Sequence, residues 1–425
     1  MSRKQMSEGS SPRRWKSKGI TSSGLRSEEL DQLSKSPMER MNETCEKSEI
    51  WYDASPLTYG EWKEDCIKTA PKKRTDEIKG WLSRYYIRDK PIEQLIRGVT
   101  TNPPLSWTAI KNDLLFWKEW VLEQGRINPK ATAHDIWWLL YKETIRRGAE
   151  RYFGLFRQSG FKYGFLSAQV DPRTYKQEDA MIQQAVEISS IASNIMIKIP
   201  ATEEGLRVLK ILTSKGISTN ATLGEIVPQY VAVAEAVKEG LDIAKKDGVD
   251  LGRWRSVITM MVGRYEELGR FKEESEQLGI ELTDQEIKWS SIAILKKTID
   301  FLKEGGYPSK MLLGSMRPGP VIANKTRVWY FEKLAGADAV FTCGPKFIKA
   351  VDIEGAEIEF DRNAINEPVP EEVIAKLNKF KYFRQAYDSR GLEPSQFIEH
   401  PAVKATLDAF IQATDEMEDF VAKVL

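Results

Sequence analysis

"IMIKIPATEEGL", residues 195–206, decides how the rest of the chain is read. Its first half is a short apolar, β-branched run of the kind that forms a strand buried on both faces. Its second half carries helix-start signals: Thr202 as a cap, Glu203 and Glu204 in the first turn, then Leu206, Leu209 and Leu212 at three-residue spacing until Gly216 stops the pattern. With the next run, "GISTNAT", this makes one strand, helix, strand unit, which is right-handed by rule. Lys198 sits inside the strand. An ammonium in a water-poor place is costly unless it is paired or neutralised, so a lysine there points to chemistry.

Working outward, "IWYDAS", "RGVTTN", "YGFLSAQV", "NIMIKIP", "GISTNAT", "SVITMMV", "MLLGS" and "DAVFTCG" are strand-like, and most are separated by helical patterns. Eight parallel strands close into an α/β structure, a single (β/α)₈ TIM barrel with extra helices, expected over residues 49–350. Trp107, Trp117, Trp120, Trp137 and Trp138 lie on helical patterns and read as packing of outer helices. Residues 351–425 are helical and charged and read as an extension packing on the barrel, where it covers the mouth or makes a homodimer contact. The first 48 residues are rich in Ser, Lys and Arg, show no period and are expected to be a disordered basic tail. A transit peptide is the competing reading, and Glu8, Glu28 and Glu29 argue against it.

Formal net charge is +1, from 63 basic and 62 acidic residues, which gives no reason to expect a nucleic-acid or membrane partner and favours a small ligand. Cys45, Cys66 and Cys343 are spaced for neither disulfides nor zinc, which implies a reduced, cytoplasmic compartment. His134 and His400, the two histidines, lie far apart and offer little to a metal site or a serine-histidine triad. No apolar run is long enough to span a bilayer.

In a barrel of this kind the chemistry sits at the C-terminal rim of the strands. Asp53 ends the first strand, Asn102 the second, Gln169 the third, Asn220 and Thr222 the fifth, and Ser315 and Arg317 the seventh. Lys198 lies just inside the end of the fourth, and Arg264 follows the sixth in "VGR". One polar strand end is an ordinary cap or turn residue. So many converging on one rim read as a site, and two guanidiniums after neighbouring strands read as an anion site.

These residues resemble the transaldolases, which are Schiff-base aldolase barrels. The resemblance rests on "GVTTNPPL" (98–105), "SAQVDPR" (167–173), "IKIPATEEGL" (197–206), "GISTNATL" (216–223) and "GSMRP" (314–318), in family order, over roughly residues 48–350. It implies that Lys198 is the amine that attacks the ketone of a phosphorylated ketose, the iminium then serving as electron sink with no metal or organic cofactor. It implies that Asp53 is the base on the C4 hydroxyl, that Asn102 and Asn220 bind hydroxyls of the dihydroxyacetone unit, and that Thr222 lies near a catalytic water. Arg264, Ser315 and Arg317 match the phosphate-binding group, and Thr259 aligns with a serine of the family. The substrates implied are phosphorylated ketoses and aldoses.

The chain departs from the family at strand three. Transaldolases carry a glutamate in a "VSTEVD"-like stretch, and here "LSAQVD" puts Gln169 there. An amide cannot accept and return a proton near neutral pH. The similar fructose 6-phosphate aldolases also have glutamine, but add a tyrosine where this chain has Met261. Tyr265 and Tyr163 are candidate replacements. Three functions follow as alternatives: a transaldolase with a weakened or rearranged acid-base step, an aldolase-type lyase, and a non-catalytic sugar-phosphate-binding homologue.

Overall fold

The apolar runs form eight parallel strands in a computed structural model that describes residues 34–353 and 358–425. They are β1 (Glu49–Tyr52), β2 (Ile96–Thr100), β3 (Phe165–Gln169), β4 (Ile195–Pro200), β5 (Thr219–Gly224), β6 (Ser256–Met261), β7 (Lys310–Gly314) and β8 (Val340–Cys343). Their hydrogen-bonded order, β1-β8-β7-β6-β5-β4-β3-β2, closes on itself, so the chain is a (β/α)₈ barrel and no strand edge is left open. The helices used below are α1 (Pro37–Asn42), α2 (Pro103–Asn112), α3 (Ala133–Gln158), α4 (Glu203–Ser214), α5 (Val262–Glu267), α6 (Asp284–Glu304) and α7 (Pro401–Val424). Thr202 caps α4 by accepting from the Gly205 amide at 3.1 Å, as its sequence requires. Among the described residues no helix is long and apolar enough to cross a membrane.

Alternation along the strands sorts side chains into two sets. Ile50, Val99, Leu166, Ile197, Ile199, Ala221, Ile258, Met311, Leu313 and Phe341 point outward and pack under the helices. Trp51, Phe165, Met196, Val257, Leu312 and Val340 point inward and, with Phe156, fill the barrel floor. Gly98 makes room for this layer: a Cβ there would stand 2.5 Å from the Trp51 ring. Below the floor, Glu49 is buried and accepts from Arg255 at 3.0 Å, Lys310 at 3.1 Å and the Trp51 indole at 3.0 Å. Burial pushes this carboxyl up, but the Arg255 and Lys310 charges outweigh it and hold it below the usual range.

The expected tail is corrected over residues 34–48. Ser36 caps α1 in a reciprocal capping box with Glu39, and Met38 and Met41 are fully buried. The Met38 amide donates to Asp352 at 3.3 Å, and Tyr85 donates its hydroxyl to the same carboxyl, so this segment is fastened to the end of the barrel. The rest of that expectation, residues 1–33, lies outside the described residues.

α7 crosses the rim. Its Met417 and Val421 pack with Ile110 of α2, with Trp117 and Val121, and with Ile136, Trp137 and Leu140 of α3, which is where the tryptophans of this region are buried or half-buried. Arg173, after β3, bonds Glu418 at 2.6 Å and Asp415 at 3.1 Å while holding Asp171 at 2.8 Å, so α7 is tied to the loop that follows Gln169.

The barrel floor generates a stability prediction. Gly98→Ala forces the Trp51 ring to shift inside a closed layer, and overpacking of this kind costs about 1–3 kcal/mol. The denaturant midpoint should fall accordingly; an unchanged midpoint would show that the layer has slack.

Candidate active site

One strand position above the floor, the inward side chains turn from apolar to polar. Lys198 on β4 lies in register with Gln169 on β3 and Asn220 on β5, and only 3% of it is exposed. Its Nζ donates to the Thr101 carbonyl at 3.3 Å, and among the described residues no carboxylate comes within ion-pairing distance of it. Burial pulls its pKa down from 10.5 to about 8, with Asp53 opposing the shift and Arg264 adding to it. About a tenth of such an amine is neutral at pH 7, against well under roughly one in a thousand for an ordinary lysine. This is the condition for nucleophilic attack on a carbonyl.

Asp53 follows β1 and is half-buried at the same mouth. Thr100 donates to its Oδ1 at 2.7 Å and shares a 2.6 Å hydrogen bond with Thr342. The Ser315 amide approaches its Oδ2 at 3.3 Å, an orientation permitted by a left-handed φ of 58° at Ser315. Burial raises the Asp53 pKa, while Thr100, the Lys198 charge, the Ser315 amide and Arg317 pull it back. A carboxyl moved toward neutrality is better matched to moving a proton.

Around the amine, Asn220 donates to Ser167 at 2.9 Å and accepts from Thr259 at 2.7 Å, which fixes its carboxamide orientation. Gln169 and Thr222 are buried, and neither the Gln169 carboxamide nor the Thr222 hydroxyl has a hydrogen bond within the protein. Buried polar groups of this sort want a partner, which a polar ligand at this level would supply. Asn102 differs from expectation. It is the N-cap of α2, its side-chain carbonyl already accepting from the Leu105 amide at 2.9 Å, so its –NH₂ is the end left to meet a hydroxyl.

The two guanidiniums are not equivalent. Arg264, on α5, has no hydrogen bond or ion pair among the described residues, and its Cζ lies 5.7 Å from the Phe410 ring. Arg317 is engaged: Nε and Nη2 reach Glu267 at 2.8 and 3.1 Å, and Nη1 reaches the Ser315 carbonyl and hydroxyl at 2.9 and 3.2 Å. Gly263 lets these two rim segments touch, since a Cβ there would sit 2.3 Å from the Ser315 carbonyl oxygen.

Structure also brings in residues that the sequence did not single out. Phe410 of α7 is fully buried, its ring 5.9 Å from the Lys198 Nζ, and with Leu223, Met261, Val403 and Leu407 it forms an apolar wall over the amine. The helical spacing of Val403, Leu407 and Phe410 shows a buried face, but spacing carries no information on what that face covers. Glu225, just past β5, is fully buried with no side-chain partner for either carboxyl oxygen; burial drives its pKa far up, against the Arg264 charge and the Met261 amide. Neither candidate tyrosine stands at the amine. Tyr265 is fully buried among Phe271, Tyr382 and His400. Tyr163 precedes β3, at the opposite end of the barrel, under Arg97. Among the described residues no three His, Cys, Asp or Glu side chains gather as metal ligands do.

Residues 76–418 match the family described as transaldolase/fructose-6-phosphate aldolase. Transaldolase 1 of Streptomyces coelicolor is 32% identical over 190 residues, covering 43% of this chain and 49% of the relative. The transaldolase of Mycobacterium ulcerans is 32% identical over 192 residues, 43% and 50% of the two chains, and that of Trichodesmium erythraeum 28% over 190 residues, 43% and 49%. The match thus spans about half the length of each of these relatives.

The wall over the amine generates the second prediction. In Phe410→Ala, water reaches Lys198, and its pKa moves from about 8 back toward 10.5, with about a tenfold loss of neutral amine at pH 7 per unit. Acylation of Lys198, followed by peptide mass spectrometry from neutral to alkaline pH, should show the midpoint shifted upward. An unmoved midpoint would mean that another group keeps the amine dry.

Proposed function

From the premise that the chain belongs to the transaldolase/fructose-6-phosphate aldolase family, we propose that it moves a dihydroxyacetone unit between phosphorylated sugars through a Schiff base on Lys198. The observation that carries this reading is a buried amine with no carboxylate partner, at one mouth with a carboxyl and two guanidiniums. Neutral Nζ attacks the ketose carbonyl, and loss of water gives the iminium. Asp53 takes the proton of the C4 hydroxyl as the C3–C4 bond breaks, and the electron pair of that bond passes into the iminium to leave an enamine. The aldose fragment departs, the enamine attacks the acceptor aldehyde, and hydrolysis returns the amine. Asn220 and the Asn102 –NH₂ bind hydroxyls, and Arg264, Ser315 and Arg317 take the phosphate.

Gln169 is where this chemistry is weakened. Its carboxamide and the Thr222 hydroxyl can orient a water, yet neither can store the proton that water exchanges. Met261 lies in the apolar wall with Phe410 and has no proton to offer. Asp53 is the carboxyl whose charge acts on Lys198, so it carries more of the proton traffic than a site with a strand-three glutamate requires. Slow turnover follows. Release of the unit as free dihydroxyacetone is the second reading, favoured by the same glutamine. A purely binding role accounts poorly for a lysine kept buried without a counter-ion.

Borohydride added with fructose 6-phosphate should reduce an adduct onto Lys198 in the wild type and none in Lys198→Ala. Erythrose 4-phosphate should then yield sedoheptulose 7-phosphate slowly, and Gln169→Glu should raise that rate by about tenfold or more, within the range of a restored general acid-base group. Absence of any adduct would eliminate both catalytic readings. An adduct with free dihydroxyacetone as product would favour the lyase.

A further inference from the structure

We infer that Glu267 is a built-in competitor for the phosphate subsite: its carboxylate occupies Arg317 where a substrate phosphate would bind, and a phosphorylated sugar must displace it. This rests on the phosphate role proposed above for Arg317. Four hydrogen bonds draw on the Arg317 guanidinium, two of them a fork-on-fork pair with Glu267 through Nε and Nη2. That is the edge by which arginine grips a carboxylate or a phosphate bidentately, so both anions cannot hold it together. Arg264, lacking such a partner, stays available.

The backbone around Glu267 has little slack. Its neighbour Glu266 accepts from Lys288 and Ser291, each at 2.6 Å, and from the Tyr330 hydroxyl, while Lys288 also reaches Tyr330 at 2.8 Å. Gly263, at the start of the same helix, is pressed against the Ser315 carbonyl and the Arg317 side chain. α5 therefore holds Glu267 at Arg317, and release must come from side-chain rotation. Both side chains can do this: 43% of Arg317 and 50% of Glu267 is exposed, so each can turn into water. A dianionic phosphate outcompetes a single carboxylate for the fork, whereas an uncharged sugar leaves Glu267 in place and gains nothing from Arg317. Glu267 is thus a specificity-determining residue that sets a threshold of ligand charge.

Calorimetric titration of inorganic phosphate at fixed ionic strength tests this with the wild type, Glu267→Gln, Arg317→Met and the double variant. Removing an exposed competing charge should tighten phosphate binding on the order of two- to fivefold. The gain should vanish when Glu267→Gln is made in the Arg317→Met background. If Arg317→Met weakens binding but Glu267→Gln binds as the wild type does, the phosphate subsite stands and the competitor is refuted. If Arg317→Met leaves phosphate binding unchanged, or none is seen in any variant, the phosphate role of Arg317 fails and this inference falls with it.

Discussion

The rest of the mouth is arranged around a lysine amine held away from water without a carboxylate at its side. Two influences compete at Lys198: burial and the Arg264 charge push toward the neutral form, and Asp53 pushes toward the ammonium. Burial wins because β4 places the side chain inside a closed barrel and α7 lays Phe410 over it. Were Asp53 in direct contact, the ion pair would restore the ammonium and remove the nucleophile. Thr100 and the Ser315 amide hold its carboxyl to the side, outside ion-pairing range of the amine.

Stability and chemistry are separated along the barrel axis. The floor is a dry layer of large side chains above a satisfied Glu49 cluster. The mouth keeps unsatisfied buried groups in Gln169 and Thr222, a left-handed Ser315 and a carboxyl displaced from its ordinary pKa. Unpartnered buried atoms also occur at the floor end, in Ser48 and Asn194, so what sets the mouth apart is that Gln169 and Thr222 stand at the level of a buried lysine. The same period of two generates both ends, since Phe165, Ser167 and Gln169 are successive inward positions of one strand.

What was legible in the sequence follows from what periodicity encodes. Apolar runs separated by capped helices gave eight strands, and the strand ends gave Lys198, Asp53, Gln169, Asn220 and Thr222 at one rim, while Thr259 entered only through the family resemblance. Pairings between distant segments were not legible. The α1 segment looks like a polar tail until Asp352, 314 positions from Met38, is seen to fasten it. Asn102 is both a strand end and an N-cap, and its carbonyl goes to the helix because Leu105 offers an otherwise unmet amide. Arg317 reads as a free cation until Glu267 is found on it, and Phe410 reads as one more apolar helix position. A sequence pattern shows which face of an element is buried; it does not name the opposing surface.

In the proposed reaction the state of the amine is decisive, because Gln169 at the end of β3 has no proton to exchange. Titrating the protein labelled with carbon-13 at the lysine ε-carbons reads that state directly. Burial brings Lys63 and Lys296 to about 8 as well, so Lys198→Arg is needed to assign the resonance by its disappearance. With burial dominant, the assigned ε-carbon should titrate with a midpoint of about 8. A midpoint at or above the ordinary 10.5 would contradict it, since the amine would then be a cation at neutral pH and the site would have no nucleophile to offer.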